Sequence, residues 1–273
     1  MQPWPLIDKL PTGIAGRAAT DAQNLAKPFV HDDGQIRSLH FSMGELQSQM
    51  NLQNPSHLQV DYTHTMMGFL LLHSAPASIG MVGLGGGSLV KFCHAQLPAS
   101  SLTVIEINPH VIALRRQFAV PDDDARLEVL EADGATYLAL QTARFDVLLI
   151  DGFDLLGQPP ALCTQAFYDD CFAALKPDGV LVVNLHYDDA DYPVWAERLQ
   201  RSFGGNACEV PAPEKSNGIV FATRMDTRAP MSPRSLNLQA SLSGLTPEAR
   251  GQLKPEFSRI LWSMKDLGGS DGV

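Results

Sequence analysis

No apolar run in these 273 residues approaches the roughly 18 needed to cross a bilayer as a helix, so no membrane partner is expected. The start, Met1–Leu10, lacks a basic stretch leading into an apolar one, which argues against a secretory signal. Basic residues are in the minority: 20 Lys and Arg against 30 Asp and Glu give a formal charge of −10. A nucleic-acid partner is disfavoured, because such proteins normally present a basic face. Only four cysteines occur (Cys93, Cys163, Cys171, Cys208), none in CxxC spacing, which suits a reducing cytoplasm and a role as small buried core residues. His31, His40, His57, His73, His94 and His110 are scattered without ligand spacing, so no metal site is expected. What remains, 45% hydrophobic and 18% charged, describes a soluble globular chain with one sizeable core and room for a small accessory domain.

Against that background one stretch stands out. Ile79–Gly87 reads IGMVGLGGG, with Gly83, Gly85 and Gly87 following a strand-like segment and preceding a helical one at Ser88–Gln96. Glu106 comes 23 residues after Gly83, at the end of a second strand, Leu102–Ile105. Glycines between strand and helix, with an acid about 20 residues on, form the layout of a nucleoside-binding βαβ unit. The glycines let the backbone approach a ligand closely, and the carboxylate can accept both hydroxyls of a ribose diol.

The rest of the chain alternates in the same way. Strands are expected at Ile79–Val82, Leu102–Ile105, Leu127–Leu130, Val147–Ile150 and Val180–Asn184. Helices are expected at Ser88–Gln96, Pro109–Phe118, Ala135–Thr142, Thr164–Leu175 and Ala190–Phe203. This order predicts an α/β fold with a doubly wound, mostly parallel sheet. Residues 1–34 read as a loosely structured lead-in, and Gln35–Phe41 with Glu45–Met50 as a β-hairpin. Tyr62–Leu72 reads as one buried helix, and Ala207–Val210 with Gly218–Thr223 as an antiparallel pair at the sheet edge. Met225–Gly244 reads as a linker or strap, and Pro247–Met264 as a terminal helix interrupted at Pro255. The expected domains are 1–60, 61–224 and 225–273. Lys91, Arg115 and Arg116 are expected on solvated helix faces.

Ligands of open α/β sheets bind outside the carboxyl ends of the strands. There the sequence places Glu106, Asp133-Gly134, Asp151–Asp154 and His186–Asp189, after the second to fifth strands. Five carboxylates (Glu106, Asp133, Asp151, Asp154 and either Asp188 or Asp189) would meet on one rim. Like charges repel, so the fold alone gives no reason to gather them; a bound cation or polyol would.

The segments VGLGGGSL, VIEINPHVI, EADGATYL and FDVLLIDGFD, with the stretch on to KPDGVLVVN, resemble the spermidine synthase (polyamine aminopropyltransferase) family. The resemblance covers roughly Gln35 to Arg224. It implies the seven-stranded Rossmann-like fold of class I S-adenosylmethionine-dependent methyltransferases behind a small β element. It also implies a transferase for which decarboxylated S-adenosylmethionine, or S-adenosylmethionine itself, is the co-substrate, with a small cationic amine as acceptor. Gly83, Gly85, Gly86, Gly87, Glu106, Asp133 and Gly134 would hold the adenosyl group: Glu106 at the ribose and Asp133 at the adenine amine. Asp133 reads equally as a helix N-cap. Asp151 matches the acid that orients the attacking amine and takes up its proton, and Asp154 an acid that binds the amine's cationic part. Gln47, in GELQ, resembles the family's DGxxQ stretch. Tyr62 and His64 would stand for a Tyr-His pair lining the amine pocket. His186 and Asp188, on the rim after the fifth strand, are further substrate-binding candidates. Such proteins form dimers or tetramers, so a homodimer is the expected assembly.

The chain departs from the family pattern at four places. Gly86 stands where the family's GGGDGG loop has an Asp for the donor's amino group. Leu155 and Gln158 replace prolines of the DxxDPxGP run, Tyr62 fits only with a gap, and PEKSNG lacks a tyrosine often found before the last strand. Aminopropyl transfer is therefore the leading expectation. A methyltransferase on the same scaffold is the second reading, and a non-catalytic nucleoside-binding protein the third.

Overall fold

The structure is a computed structural model that describes residues 25–42, 45–224 and 236–267. A three-stranded antiparallel sheet comes first: β1 (Phe29–Asp32), β2 (Ile36–Ser42) and β3 (Glu45–Asn51). The expected hairpin is β2–β3, with a register shift near His40. β1 falls within the segment read as a loose lead-in, and so corrects it. Its turn is built by Asp33, whose side chain accepts the amides of Gln35 and Ile36, and by Gly34 at φ 91°.

Helices α1 (Asp61–Met66) and α2 (Phe69–Leu72) replace the single helix expected there. The break is at Gly68, where an added Cβ would lie 2.8 Å from Phe221 and from Ile260, so close packing sets the bend. The alternating βα region follows: β4 (Ser78–Val82), α3 (Ser88–Gln96), β5 (Ser101–Glu106), α4 (Pro109–Ala113), β6 (Leu127–Glu131), α5 (Gly134–Leu138) and β7 (Phe145–Ile150). Next come a 3₁₀ turn (Pro160–Cys163), α6 (Gln165–Ala174), β8 (Leu175–His186), α7 (Tyr192–Ser202), β9 (Ala207–Pro211) and β10 (Asn217–Thr223). Caps explain several starts: Asn108, Asp133 and Thr164 each accept a backbone amide at the head of α4, α5 and α6.

The seven strands run in the order β6-β5-β4-β7-β8-β10-β9. All neighbours are parallel except β8–β10 and β10–β9. The expected β9–β10 pair is present, but only β9 is an edge, since β10 is also hydrogen-bonded to β8. Two apolar layers cover the sheet, sorted by the two-residue period of the strands. Val147 and Leu149 of β7 face one layer, Leu148 and Ile150 the other; β8 divides in the same way between Val180 and Val182, and Leu181 and Val183. The first layer also takes in Leu39 and Met50 of the small sheet, packing it onto the main body.

The chain closes with α8 (Leu238–Ser243) and α9 (Pro247–Leu267). α8 corrects part of the expected linker; residues 225–235 of it lie outside the described residues. α9 runs through Pro255 without interruption. Leu253, Phe257, Ile260 and Met264 are all buried along one face, and that packing outweighs the lost backbone hydrogen bond. No described helix is long and apolar enough to cross a membrane.

Candidate active site

Strand order reverses between β4 and β7, since β5 and β6 lie on one side of β4 while β7 and β8 lie on the other. Such a switch point opens a crevice at the carboxyl ends of the strands. Here the loops after β4 and β7 are locked together: Asp151 N donates to Val82 O at 2.9 Å. Gly83 sits at φ 97°, and a Cβ there would come within 2.2 Å of Asp151 O. Only glycine fits this crossing. A cavity opens beside it, lined by Gly83, Gly85, Glu106, Asp133, Gly134, Asp151 and Asp154 among others.

Glu106 ends β5 and is buried. Its Oε2 accepts Leu84 N at 2.8 Å and its Oε1 accepts Asn108 N at 2.8 Å. Burial raises its proton affinity, while the surrounding backbone amides pull it back. The carboxylate is thus fixed in orientation by the main chain, with lone pairs left on both oxygens for a ligand. Asp133 serves two ends at once: its Oδ1 caps α5 through Thr136 N at 2.6 Å, and the residue also lines the cavity.

Asp151 is half-buried at the centre. Tyr62 OH donates to its Oδ2 at 3.0 Å and Asn184 Nδ2 to its Oδ1 at 2.9 Å. Asn184 is itself held, its Oδ1 accepting Asn217 Nδ2 at 2.8 Å. Burial raises the Asp151 pKa above the usual carboxylate value, opposed by Asn184, Tyr62 and His186. Burial beside this carboxylate pushes the Tyr62 phenol well up, so Tyr62 keeps its proton and donates it. Asp154 lies three residues on, in a turn closed by Asp154 N to Gly157 O at 2.9 Å, with its Oδ1 accepting Leu156 N at 2.7 Å.

Residues 61–187 match the spermine/spermidine synthase domain. A polyamine aminopropyltransferase of Chromobacterium violaceum is 38% identical over 237 residues, covering 86% of this chain and 88% of the relative. The chain belongs to the spermine/spermidine synthase family. A polyamine aminopropyltransferase of Neisseria meningitidis serogroup B is 36% identical over 245 residues, covering 89% and 90%. The fold agrees. A probable spermidine synthase from Corynebacterium glutamicum aligns at TM-score 0.64 and 20% identity, covering 81% of this chain and 85% of that one. Human methyltransferase-like protein 13, solved with SAH, aligns at TM-score 0.58 and 24% identity, covering 73% and 93%.

The family's expected site residues divide in two. Gln47, Tyr62, Gly83, Gly85, Glu106, Asp133, Gly134, Asp151 and Asp154 line one cavity. His64, His186 and Asp188 do not. His64 Nε2 meets Gln252 Nε2 at 2.8 Å, which ties α1 to α9. His186 is exposed against the Phe153 ring, 4.8 Å between centroids, and Asp188 is exposed. Gly86 and Gly87 are buried in the loop and do not line the cavity. Lys91 departs most from expectation: it is buried, not solvated. Its Nζ donates to Gly86 O at 2.9 Å and Phe118 O at 2.8 Å, and burial lowers its pKa to about 7. The sequence reading passed over Asn184, Asn108, Ser48 and Ser88. Asn184, the last polar residue before Leu185 and His186 on β8, could have been found from its place at a strand's carboxyl end. Among the described residues no cluster of His, Cys, Asp and Glu is arranged to hold a metal ion.

Proposed function

We propose that this protein transfers the aminopropyl group of decarboxylated S-adenosylmethionine to a small cationic amine, in the cytoplasm. One observation carries the reading beyond family membership. Four carboxylates line the cavity, and among the described residues none of them is in an ion pair; every donor they meet is a neutral amide or hydroxyl. The positive charge that such a site needs is brought by the ligands, a sulfonium and an ammonium. The buried thiols Cys93, Cys163 and Cys171 support the reducing compartment.

Glu106 takes the ribose diol, its geometry set by Leu84 N and Asn108 N, and Asp133 takes the adenine amine with the oxygen not used for capping. Asp154, more exposed, attracts the far charge of the acceptor. Asp151 receives the attacking amine. The nitrogen lone pair attacks the propyl carbon bonded to sulfur, the C–S bond breaks with its electron pair going to sulfur, and a neutral thioether leaves. The amine proton passes to Asp151. A carboxyl whose proton affinity burial has raised suits that role better than an exposed one. Sulfonium is already a good leaving group, so most of the acceleration comes from holding amine, carbon and sulfur in line.

The test is incubation with decarboxylated S-adenosylmethionine and a panel of small diamines, following thioether release and the lengthened amine. Asp151→Asn should abolish turnover while adenosyl-ligand affinity changes only a few fold. Equal loss of both would assign Asp151 to cofactor holding or folding and overturn the mechanism.

A further inference from the structure

The cavity has an end that the chemistry above does not use. Gln47 and Ser48 of β3 line it from one side, Gly85 and Ser88 from the other. Ser48 Oγ lies 3.3 Å from Ser88 Oγ, and Ser88 Oγ donates to Gln49 O at 3.4 Å. With the ribose at Glu106, the adenine at Asp133 and the amine at Asp151, this end is left for the donor's own side chain. Among the described residues lining it there is no acid.

The loop also withholds its carbonyls. Leu84 O accepts Gly87 N, Gly87 O accepts Lys91 N, and Gly86 O accepts the Lys91 ammonium from the core side. An ammonium placed here finds hydroxyls and an amide, but no carboxylate and few free carbonyls. A carboxylate finds donors in the Gln47 amide and the start of α3, and in the Ser48 and Ser88 hydroxyls once they turn from each other and from Gln49 O, with Lys91 behind the loop. Packing makes the absence of an acid at position 86 structural. A Cβ on Gly86 would lie 2.6 Å from Ser48 Oγ and 2.9 Å from the Phe118 ring, so Ser48 and a side chain at 86 exclude one another.

We propose that this end of the cavity does not select against a carboxylate, so that intact S-adenosylmethionine binds the protein in competition with the decarboxylated donor. The inference rests on the donor assignment of the proposed function. Ser48 and Ser88 are then specificity-determining residues, and turnover responds to the ratio of the two forms as well as to the donor's own concentration.

Calorimetric titration of the full chain with each form tests this directly. The two dissociation constants should agree within about tenfold, and intact S-adenosylmethionine should raise the KM for the donor without lowering kcat. Binding of the decarboxylated form with the intact form more than about tenfold weaker would overturn the inference and leave the proposed function standing. Binding of neither would overturn both. A second arm installs the missing charge. Gly86→Asp combined with Ser48→Gly, which removes the nearest side chain and leaves only the Phe118 ring to shift, should weaken the intact form by about tenfold or more relative to the decarboxylated one. Should that pair fail to melt cooperatively, Ser88→Asp places the charge at the same end and should act in the same direction. A folded variant of either kind with an unchanged ratio refutes the proposal.

Discussion

Tyr62→Phe isolates the control that the protein exerts on its central carboxyl. The change removes one hydroxyl and keeps the ring, so packing around α1 is conserved. The hydroxyl donates to Asp151 Oδ2 at 3.0 Å, and a hydrogen bond to a charged group contributes about 1.5–3 kcal/mol. Losing the bond should therefore raise the Asp151 pKa further. Asp151 is half-buried and water can replace part of the bond, which favours the lower end of that range. The sign follows from which form is stabilised: Tyr62 favours the ionised carboxylate, and its loss favours the protonated one. On the proposed mechanism turnover needs the ionised form and falls as pH drops through the Asp151 pKa. The acid limb of the kcat/KM profile should therefore move to higher pH, with rates well above it changed only a few fold. Asn184→Ala, which removes the donor to the other oxygen, should move the limb in the same direction. An acid limb that stays in place while the whole profile falls uniformly would show that Tyr62 acts on the substrate and not through Asp151.

Other perturbations separate the roles of packing and charge. Gly83→Ala brings a Cβ within 2.2 Å of Asp151 O at a φ of 97°, so thermal melts should show destabilisation of about 3 kcal/mol or more, together with lost turnover. Lys91 has a folded pKa of about 7 against 10.5 unfolded, so the unfolded chain binds the extra proton between those values and stability should rise with pH across that window. Urea unfolding at several pH values should find this rise, at most roughly 5 kcal/mol, in the native protein and not in Lys91→Met. Thr164→Ala removes the cap of α6 and should cost about 1 kcal/mol in thermal unfolding without altering either substrate's KM.

The glycine loop, Glu106 and Asp133, which carry the proposed adenosyl half of the site, come together in one cavity because their determinants are local. A glycine loop between strand and helix and an acid at the next strand's end fix each other's position through one βαβ unit. The Asp151 segment is local too. The amine half depends on contacts between distant segments, and sequence spacing does not encode those. Tyr62 reaches Asp151 across 89 residues, and Asn184 across 33. His64 lies two residues from Tyr62 on α1, yet its ring nitrogen meets Gln252, 188 residues away. Lys91 departs from the rule that an isolated Lys on a helix finds water. Burial here depends on the Phe118–Val120 segment folding over α3, where Phe118 O replaces the solvent. Pro255 was misread for the converse reason: a strong local rule yielded to the packed face of α9.

The way charge is distributed around the cavity also explains why its carboxylates are satisfied as they are. A Lys or Arg beside Asp151 or Glu106 would favour the ionised form of either acid. It would also cancel the charge before a ligand arrived. The chain has a cation close at hand in Lys91, yet its two side-chain acceptors are backbone carbonyls and neither is a carboxylate. Burial correspondingly destabilises both kinds of group, raising the proton affinity of Asp151 and Glu106 and lowering that of Lys91. Keeping them apart leaves the negative charge of the cavity uncompensated until a sulfonium and an amine enter, so part of the stability forgone in folding returns as binding energy for cations.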